Sequence, residues 1–346
     1  MIDFRYHLVS LISVFLALAV GIVLGAGPLR DTLGDQLAGQ VEQLRTERDD
    51  MRVQNDRLTA QNDELAGYVA ATAPQLVTGR LPDVTVAIIS DDAATGSDVQ
   101  EMTALLTEAG AATPVQISLT SELWSPESGQ ARATAVTQLS EQVPELALTG
   151  NTDAERIAAA IPALLSDDTG VLVAEQRTAG LQILADNGLL TIDGDIRQVD
   201  AVIVAGADPG ALLPDNGDSG APAEESQALL AVQGSLLESL TERNVPAVIA
   251  GTTSGTDDST GMIRLARGDS RFVDLSSVDG LQRAEGPVVT VLALVEQLDG
   301  GSGHYGTGAD ASARVPEIDG VGGGAPTPEQ PGTTEGQTPN NEGNEE

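Results

Sequence analysis

The sequence lacks several residue types on which common chemistries depend. Among its 346 residues there is no cysteine and no lysine, so all 17 basic side chains are arginine. Without cysteine, the chain cannot form structural disulfides, thiolate zinc sites or a cysteine nucleophile. Histidine occurs only as His7 and His304, so the sequence supports neither a histidine metal cluster nor a Ser-His-Asp arrangement. We therefore expect no cofactor, no metal site and no enzymatic activity.

Positive charge and aromatic side chains are also scarce. The 17 arginines stand against 52 acidic residues, which gives a formal net charge of −35. Such a chain repels phosphate backbones, so nucleic acid is excluded as a partner. Most of the excess lies in residues 70–306, which indicates an acidic, solvated body. Aromatic residues make up only 2%, so any core must be built from Ala, Val, Leu and Ile.

One long apolar run opens the chain. The 22 residues from Leu8 to Leu29 carry no charge, and as a helix they would measure about 33 Å, enough to cross a bilayer. Residues 1–30 are therefore predicted to be a membrane anchor; a secretory signal cleaved near Gly25 is the alternative. The short head and the long acidic body favour a single-pass protein with a cytoplasmic N-terminus and the bulk of the chain outside the cell membrane.

Within this run, small residues recur at every fourth position. Because this spacing puts them on one side of a helix, they would let a second membrane helix approach closely. The alternative is that glycine and alanine are simply common in membrane helices. The predicted packing residues are Ser13, Ala17, Gly21 and Gly25.

Residues 31–73 follow a heptad pattern that predicts a coiled-coil stalk. Asparagine at a positions favours a parallel two-stranded coil, so we expect a parallel homodimer. The alternative is an amphipathic helix that packs on its own domain. The d positions are Leu37, Leu44, Met51, Leu58 and Leu65, and the a positions are Val41, Arg48, Asn55, Asn62 and Val69.

Residues 74–306 alternate short apolar runs with helical stretches. Ala73-Pro74 is expected to stop the stalk helix. The pattern predicts an α/β domain with a Rossmann-like parallel sheet covered by helices on both faces. The predicted strands are Val84–Ser90, Pro114–Leu119, Gly170–Ala174, Val199–Ala205, Val245–Ala250 and a possible one at Arg271–Leu275. The predicted helices include Ser97–Ala109, Thr152–Leu165, Glu224–Arg243 and Gly286–Leu298.

Polar residues that follow these strands are the candidates for a site, because ligands of such folds bind beyond the carboxyl ends of strands. The candidates are Asp91-Asp92, Gly206-Ala207-Asp208 and the loop 251–255, Gly-Thr-Thr-Ser-Gly. Each also fits an ordinary cap or surface turn.

Two literal motif matches are set aside. Residues 301–306, GSGHYG, spell a dinucleotide fingerprint, but they follow a helix and not a strand. We expect them to stop that helix and to pack His304 and Tyr305 onto the domain. The tripeptide Arg267-Gly268-Asp269 resembles an adhesion motif and receives no role.

Residues 307–346 are rich in Gly, Pro, Thr, Asn and Glu. Since they contain almost nothing apolar, they are predicted to form a disordered acidic tail.

Two separate stretches resemble the mycobacterial copper transport protein B (MctB) family. These are the opening MIDFRYHLVSLISVFLALAVGIVLGAGPLRDTL and the segment GPVVTVLALVEQLDGGSGHYG at 286–306. The resemblance implies an actinobacterial envelope protein, described for the family as a pore-forming outer-membrane protein in copper efflux and homeostasis. A branch of the same family, SteB, is linked to cell separation through a partner, SteA, and to control of a peptidoglycan hydrolase.

Two functions therefore remain open at the sequence level. The first is a role in copper transport and copper homeostasis, as the resemblance implies. The second is a non-enzymatic coiled-coil scaffold in the cell envelope that controls cell separation through a SteA-like partner. The residues offer little support for direct copper binding. Copper(I) prefers sulfur ligands and copper(II) prefers imidazole. Besides its two histidines, the chain offers only Met1, Met51, Met102 and Met262.

Overall fold

The computed structural model describes residues 4–26, 28–91, 96–166, 170–206, 221–252 and 261–317. The chain divides into two compact units, residues 1–68 and 69–346, and each is described by itself.

The first unit is helical. Helix α1 spans Phe4–Ala26, and α2 begins at Pro28 and continues to Val77 in the second unit. Within α1, residues 4–23 are long and apolar enough to cross a membrane. The heptad residues lie on one uninterrupted helix, as the sequence predicts. No proline lies between Leu37 and Val69 to break it.

The end of α2 differs from the expectation. Pro74 lies inside the helix, which continues to Val77. Proline removes one hydrogen bond donor and costs a few kcal/mol in a helix interior. Here Ala73 and Val77 are buried in the core of the second unit, and this burial offsets that cost.

In its described residues, the second unit is an α/β domain built on one mixed sheet of seven strands. The strands lie in the order β3-β2-β1-β4-β5-β6-β7, and all neighbours are parallel except β2 and β3. The strands are β1 Thr85–Asp91, β2 Ala112–Leu119, β3 Leu190–Asp193, β4 Ala201–Gly206, β5 Ala247–Gly251, β6 Ser276–Asp279 and β7 His304–Tyr305. The helices are α3 Gly96–Glu108, α4 Gly129–Gln142, α5 Asp153–Leu165, α6 Ala174–Asp186, α7 Ala221–Glu242, α8 Gly261–Gly268 and α9 Gly286–Leu298.

Helices cover both faces of the sheet, as predicted. Ala87 and Ile89 of β1 belong to one hydrophobic cluster, whereas Val86 and Ile88 belong to another. The first cluster holds side chains of α4 to α8, and the second holds those of α3, α9 and the end of α2. Since successive strand residues point to opposite faces, both faces of the sheet are buried, and this explains the continuous apolar strand sequences.

Two strand predictions were wrong, and the short strands β3 and β7 were not predicted. Residues 170–173 are not a strand: Val171 and Val173 are exposed, and the segment leads into α6. Arg271–Leu275 is not a strand either, since Ser270–Phe272 forms a 3₁₀ turn and β6 begins at Ser276. The short edge strand β3 was missed, and its antiparallel pairing makes the sheet mixed where a wholly parallel one was expected.

Candidate functional site

The small residues of α1 lie along one side of that helix, whose described residues from 4 to 23 are all exposed. Ser13 turns its hydroxyl back onto its own helix, donating to the carbonyl of Val9 at 2.8 Å. A Cβ added to Gly21 would have no atom within 4 Å. Ala17 is exposed, and Gly25 lies in α1 with surroundings outside the part that the structure describes. Ala17 and Gly21 are therefore exposed, as are the other described residues of α1 from 4 to 23, and the pairing of this face stays a prediction.

The heptad positions of α2 form an apolar stripe on a helix whose described residues are exposed on all sides from 39 to 65. Their apolar side chains keep 46–65% of their surface exposed, although they belong to a residue class that is usually buried. The members of this heptad face are Leu37, Val41, Leu44, Met51, Leu58 and Leu65. The polar a residues Arg48, Asn55 and Asn62 are exposed between them, and Arg48 forms an ion pair with Asp49 at 2.7 Å. Val69 instead packs against the core of the α/β unit.

In the α/β unit, the last residues of four neighbouring strands lie side by side in one row. The register pairs Gly206 with Gly251 and Gly251 with Asp279, and it aligns β4 with β1 so that Asp91 lies beside Gly206. We call Asp91, Gly206, Gly251 and Asp279 the carboxyl-edge row. Within this row, the carboxylates lie on β1 and β6, and the glycines lie on β4 and β5 between them. The row also includes the boundary between β1 and β4. From there the chain continues from β1 to β2 on one side and from β4 to β5 on the other, and folds of this kind bind ligands at such a boundary.

At the β1 end of the row, Asp91 is held by a residue from α7. The amide nitrogen of Gln233 donates to Asp91 Oδ2 at 3.0 Å, and both residues are 3% exposed. The carbonyl oxygen of the same amide, Gln233 Oε1, is buried and has no hydrogen bond partner among the described residues. The Asp91 carboxylate fixes this orientation, because the reversed amide would turn an oxygen toward a carboxylate.

The two glycines let α8 lie directly on the strand ends. A Cβ on Gly206 would come within 2.5 Å of Met262 Cε, and a Cβ on Gly251 would overlap Ile263. Met262 and Ile263 are both buried. Side chains of α8 thus fill the middle of the row on the face where a ligand would lie.

At the β6 end of the row, Asp279 is paired with an arginine from α8. Arg267 Nη1 lies 3.0 Å from Asp279 Oδ2, and the two side chains are 3% and 2% exposed. The backbone amides of Thr307 and Gly308 donate to the same carboxylate at 2.8 and 3.0 Å. A second carboxylate, Asp310, accepts from Arg267 Nη1 at 2.7 Å.

Arg267 also organises the only histidine of the α/β unit. Its Nε donates to Ser277 Oγ at 2.9 Å, and Ser277 Oγ lies 3.0 Å from His304 Nδ1. The Ser277 hydroxyl thus connects the Arg267 guanidinium to the imidazole of His304. Burial and the nearby Arg267 charge lower the pKa of His304. This Ser–His contact was missed by sequence reasoning, and it is not open to substrate because Ser277 is fully buried.

The segment 301–306 behaves as the sequence predicts. Helix α9 ends at Leu298, Gly300 adopts a φ of +85°, and His304 and Tyr305 pair with β6. The hydroxyl of Tyr305 donates to Glu296, and burial together with this carboxylate raises the pKa of Tyr305. The structured part does not end at Gly306 as expected, because residues 307–313 are tied to Asp279 and His304. The rest of the predicted tail, 318–346, lies outside the described residues.

Both carboxylates of the carboxyl-edge row thus have hydrogen-bonding partners within the described residues. Among the described residues, no group of three or more His, Asp or Glu side chains is placed to hold a metal ion. Of the sequence candidates, Asp91, Gly206 and Gly251 belong to the row. Asp92, Ala207, Asp208 and the loop residues 253–255 lie outside the described residues.

Sequence reasoning missed Gln233, Arg267 and Asp279. Asp279 would have been found had β6 been placed at Ser276, because it then follows a buried strand as Asp91 does. Gln233 and Arg267 carry no local signal, since each lies on a helix and meets its partner only through the fold. The tripeptide at 267–269 is excluded from adhesion contacts, because the Arg267 side chain is buried.

Comparison with known proteins gives one consistent result. The family model described as "Copper transport outer membrane protein, MctB" matches residues 1–316. The "Copper transporter MctB" of Mycobacterium tuberculosis (strain ATCC 25618 / H37Rv) is 29% identical over 321 residues, which is 90% of this chain and 98% of that protein. The protein of the same name from Mycobacterium leprae (strain TN) is 31% identical over 331 residues, which is 92% of this chain and 100% of that protein.

Proposed function

Since the chain belongs to the MctB family, we propose that it acts in copper transport and copper homeostasis in the cell envelope. The observation that carries this proposal is the length of the similarity, which includes the apolar helix, the heptads and the α/β unit. A match confined to the sheet would speak for the fold alone, because one fold hosts many functions.

We propose further that α1 is a single-pass anchor with its N-terminus in the cytoplasm, and that the acidic body lies outside the cell membrane. The length and apolar surface of α1 support the anchor. The long acidic body follows this helix in the sequence. The family description, in contrast, names the outer membrane.

Copper enters this proposal as cargo. The described residues offer it no group of three His, Asp or Glu ligands, and the sequence has no cysteine. His304 Nδ1 is occupied by Ser277, and Met102 and Met262 are buried in the two hydrophobic clusters. The part of the chain that the structure describes contains one helix long and apolar enough to cross a membrane, and a single helix cannot enclose a pore. A copper transport role therefore requires several copies of the chain or a separate pore-forming protein.

Deletion of the gene tests the proposal directly. We expect the deletion strain to grow more poorly on copper and to hold more cell-associated copper, measured by mass spectrometry, with both effects reversed by the full-length chain. Zinc sensitivity is the matched control and should not change. Unchanged copper tolerance together with unchanged copper content would rule out the proposed role.

A second candidate is the envelope scaffold that acts in cell separation through a SteA-like partner. The comparisons give it no support; the observation in its favour is the exposed heptad face of α2, which offers a surface to another helix. The same deletion strain separates the two candidates. Chains of unseparated cells with normal copper handling would favour the scaffold.

A further inference from the structure

The heptad face of α2 carries an apolar side chain at every d position, and nothing in the part of the chain that the structure describes buries it. Its six apolar side chains span residues 37–65, about 42 Å of helix, and each keeps roughly half or more of its surface exposed. A stripe with a 3.5-residue repeat is the seam of a coiled coil, because it returns to the same side only when two helices wind around each other. What covers the face must therefore be another helix with a matching repeat.

The polar residues in the seam select the arrangement of that helix. Asn55 and Asn62 occupy a positions, between Met51, Leu58 and Leu65 at d positions. In a parallel pair of identical chains in register, each asparagine faces its own copy, and the two amides can donate to and accept from each other. In an antiparallel pair, each asparagine would face a leucine or methionine, and its buried amide would lose its partners.

The charges beside the seam fit the same arrangement. Glu47 occupies a g position, and Arg52 occupies the e position five residues later. A parallel in-register pair brings the g residue of one helix to that e residue of the other, so symmetry gives two Glu47–Arg52 contacts of opposite sign. Among the described residues of its own chain, Arg52 forms no ion pair. Arg48 at the a position would lie beside Glu47 of the second copy, which offsets its cost in the seam.

We propose that a second copy of this chain covers the heptad face, as a parallel in-register coiled coil over residues 37–65. This inference goes beyond the proposed function, since it does not depend on copper. The polar residues at three a positions make the coil weak on its own. Anchoring both chains in one membrane would raise their effective concentration.

The absence of cysteine makes the proposal testable by disulfide trapping in the full-length chain. Leu44→Cys and Leu58→Cys put one thiol on the seam, where the two copies come within disulfide reach. Val53→Cys is the control: Val53 is equally apolar and 69% exposed but lies at an f position, on the side away from the seam. The oxidant should be diamide, since copper oxidants act on the proposed cargo.

We expect covalent dimers at both seam positions, formed at least ten times faster than at Val53→Cys. Trapping at both positions also shows a parallel register, because an antiparallel pair could bring at most one of the two residues opposite its own copy. Equal rates at Val53→Cys, trapping at only one seam position, or no dimer at either would overturn the proposal.

A charge exchange tests the register independently, with Leu58→Cys as the reporter. Glu47→Arg should slow dimer trapping several-fold, because two arginines then meet on each side of the seam. Adding Arg52→Glu should restore the rate. The control Glu64→Arg makes the same change of charge at a c position and should leave the rate unaltered. Failure of Arg52→Glu to restore trapping would contradict the Glu47–Arg52 contact and the register with it.

Discussion

The side chains of Arg267 and Asp279 form an ion pair of 3.0 Å that is almost completely buried, at 3% and 2% exposure. The pair joins α8 to the end of β6, and through Thr307 and Gly308 it fixes the chain after β7 to the sheet. The burial of the Asp279 carboxylate without a cation would be costly.

Arg267→Met should destabilise the α/β unit by about 3 kcal/mol, because it leaves the buried Asp279 carboxylate without its counter-charge. The measurement is chemical denaturation followed by the fluorescence of Trp124, the single tryptophan, which is buried in this unit. Arg264→Met, on the exposed side of the same helix, is the control and should change the free energy of unfolding by less than about 0.5 kcal/mol. Equal losses for the two variants would show that the buried pair has no special weight.

Gln233→Glu should cost about 3 kcal/mol near pH 7.5, since it replaces the amide that donates to Asp91 by a second buried carboxylate. Of two carboxyls in such a pair, one has a raised pKa, so the folded variant binds a proton that the unfolded chain releases. The loss should therefore shrink as the pH falls toward 5. Denaturation curves at several pH values measure it.

The matched control is Gln182→Glu. Gln182 also donates to an aspartate, Asp186, at 2.8 Å, but on the exposed surface, where solvent screens the added charge. If the loss of stability in Gln233→Glu did not change with pH, the introduced carboxyl and Asp91 would not share a proton in the folded variant.

His304 should make the α/β unit less stable as the pH falls. Burial and Arg267 lower its pKa in the folded chain, with Asp310 acting in the opposite direction. The unfolded histidine therefore takes up its proton first, and stability is lost from about pH 6.5 downward. His304→Gln should have a flatter profile of unfolding free energy between pH 7.5 and pH 5.5. Parallel profiles of the parent and variant would refute this role.

Gly286→Ala should destabilise the unit by about 1–3 kcal/mol. Gly286 opens α9, and a Cβ there would lie 2.5 Å from the carbonyl oxygen of Leu281, which is backbone and cannot turn away. In Gly234→Ala the added Cβ would meet only Leu265 Cδ1, at 3.9 Å, inside α7. That variant should be neutral or more stable by up to about 1 kcal/mol, because alanine favours helix. Thermal unfolding of both variants, compared with the parent, decides the point.

Sequence patterns predicted the long elements well. The apolar run, the heptad helix, the helix at 286–298 and strands β1, β2, β4 and β5 are all present within a few residues. Each has a long or strongly apolar pattern that local physics can interpret. The missed strands have short, weak signals: β3 has four residues, and β6 is the polar segment Ser276–Asp279, which only its neighbours β5 and β7 identify as a strand.

The sequence by itself determined what depends on composition and periodicity. It excluded disulfides and thiolate sites, predicted the apolar helix and the heptad helix, and predicted an α/β domain, because these follow from residue type and spacing along the chain. Only the tertiary structure decided that Asp91 meets Gln233, that Arg267 meets Asp279 and that α8 closes over Gly206 and Gly251. These partners are separated by up to 142 residues, and the order and register of the strands bring them together.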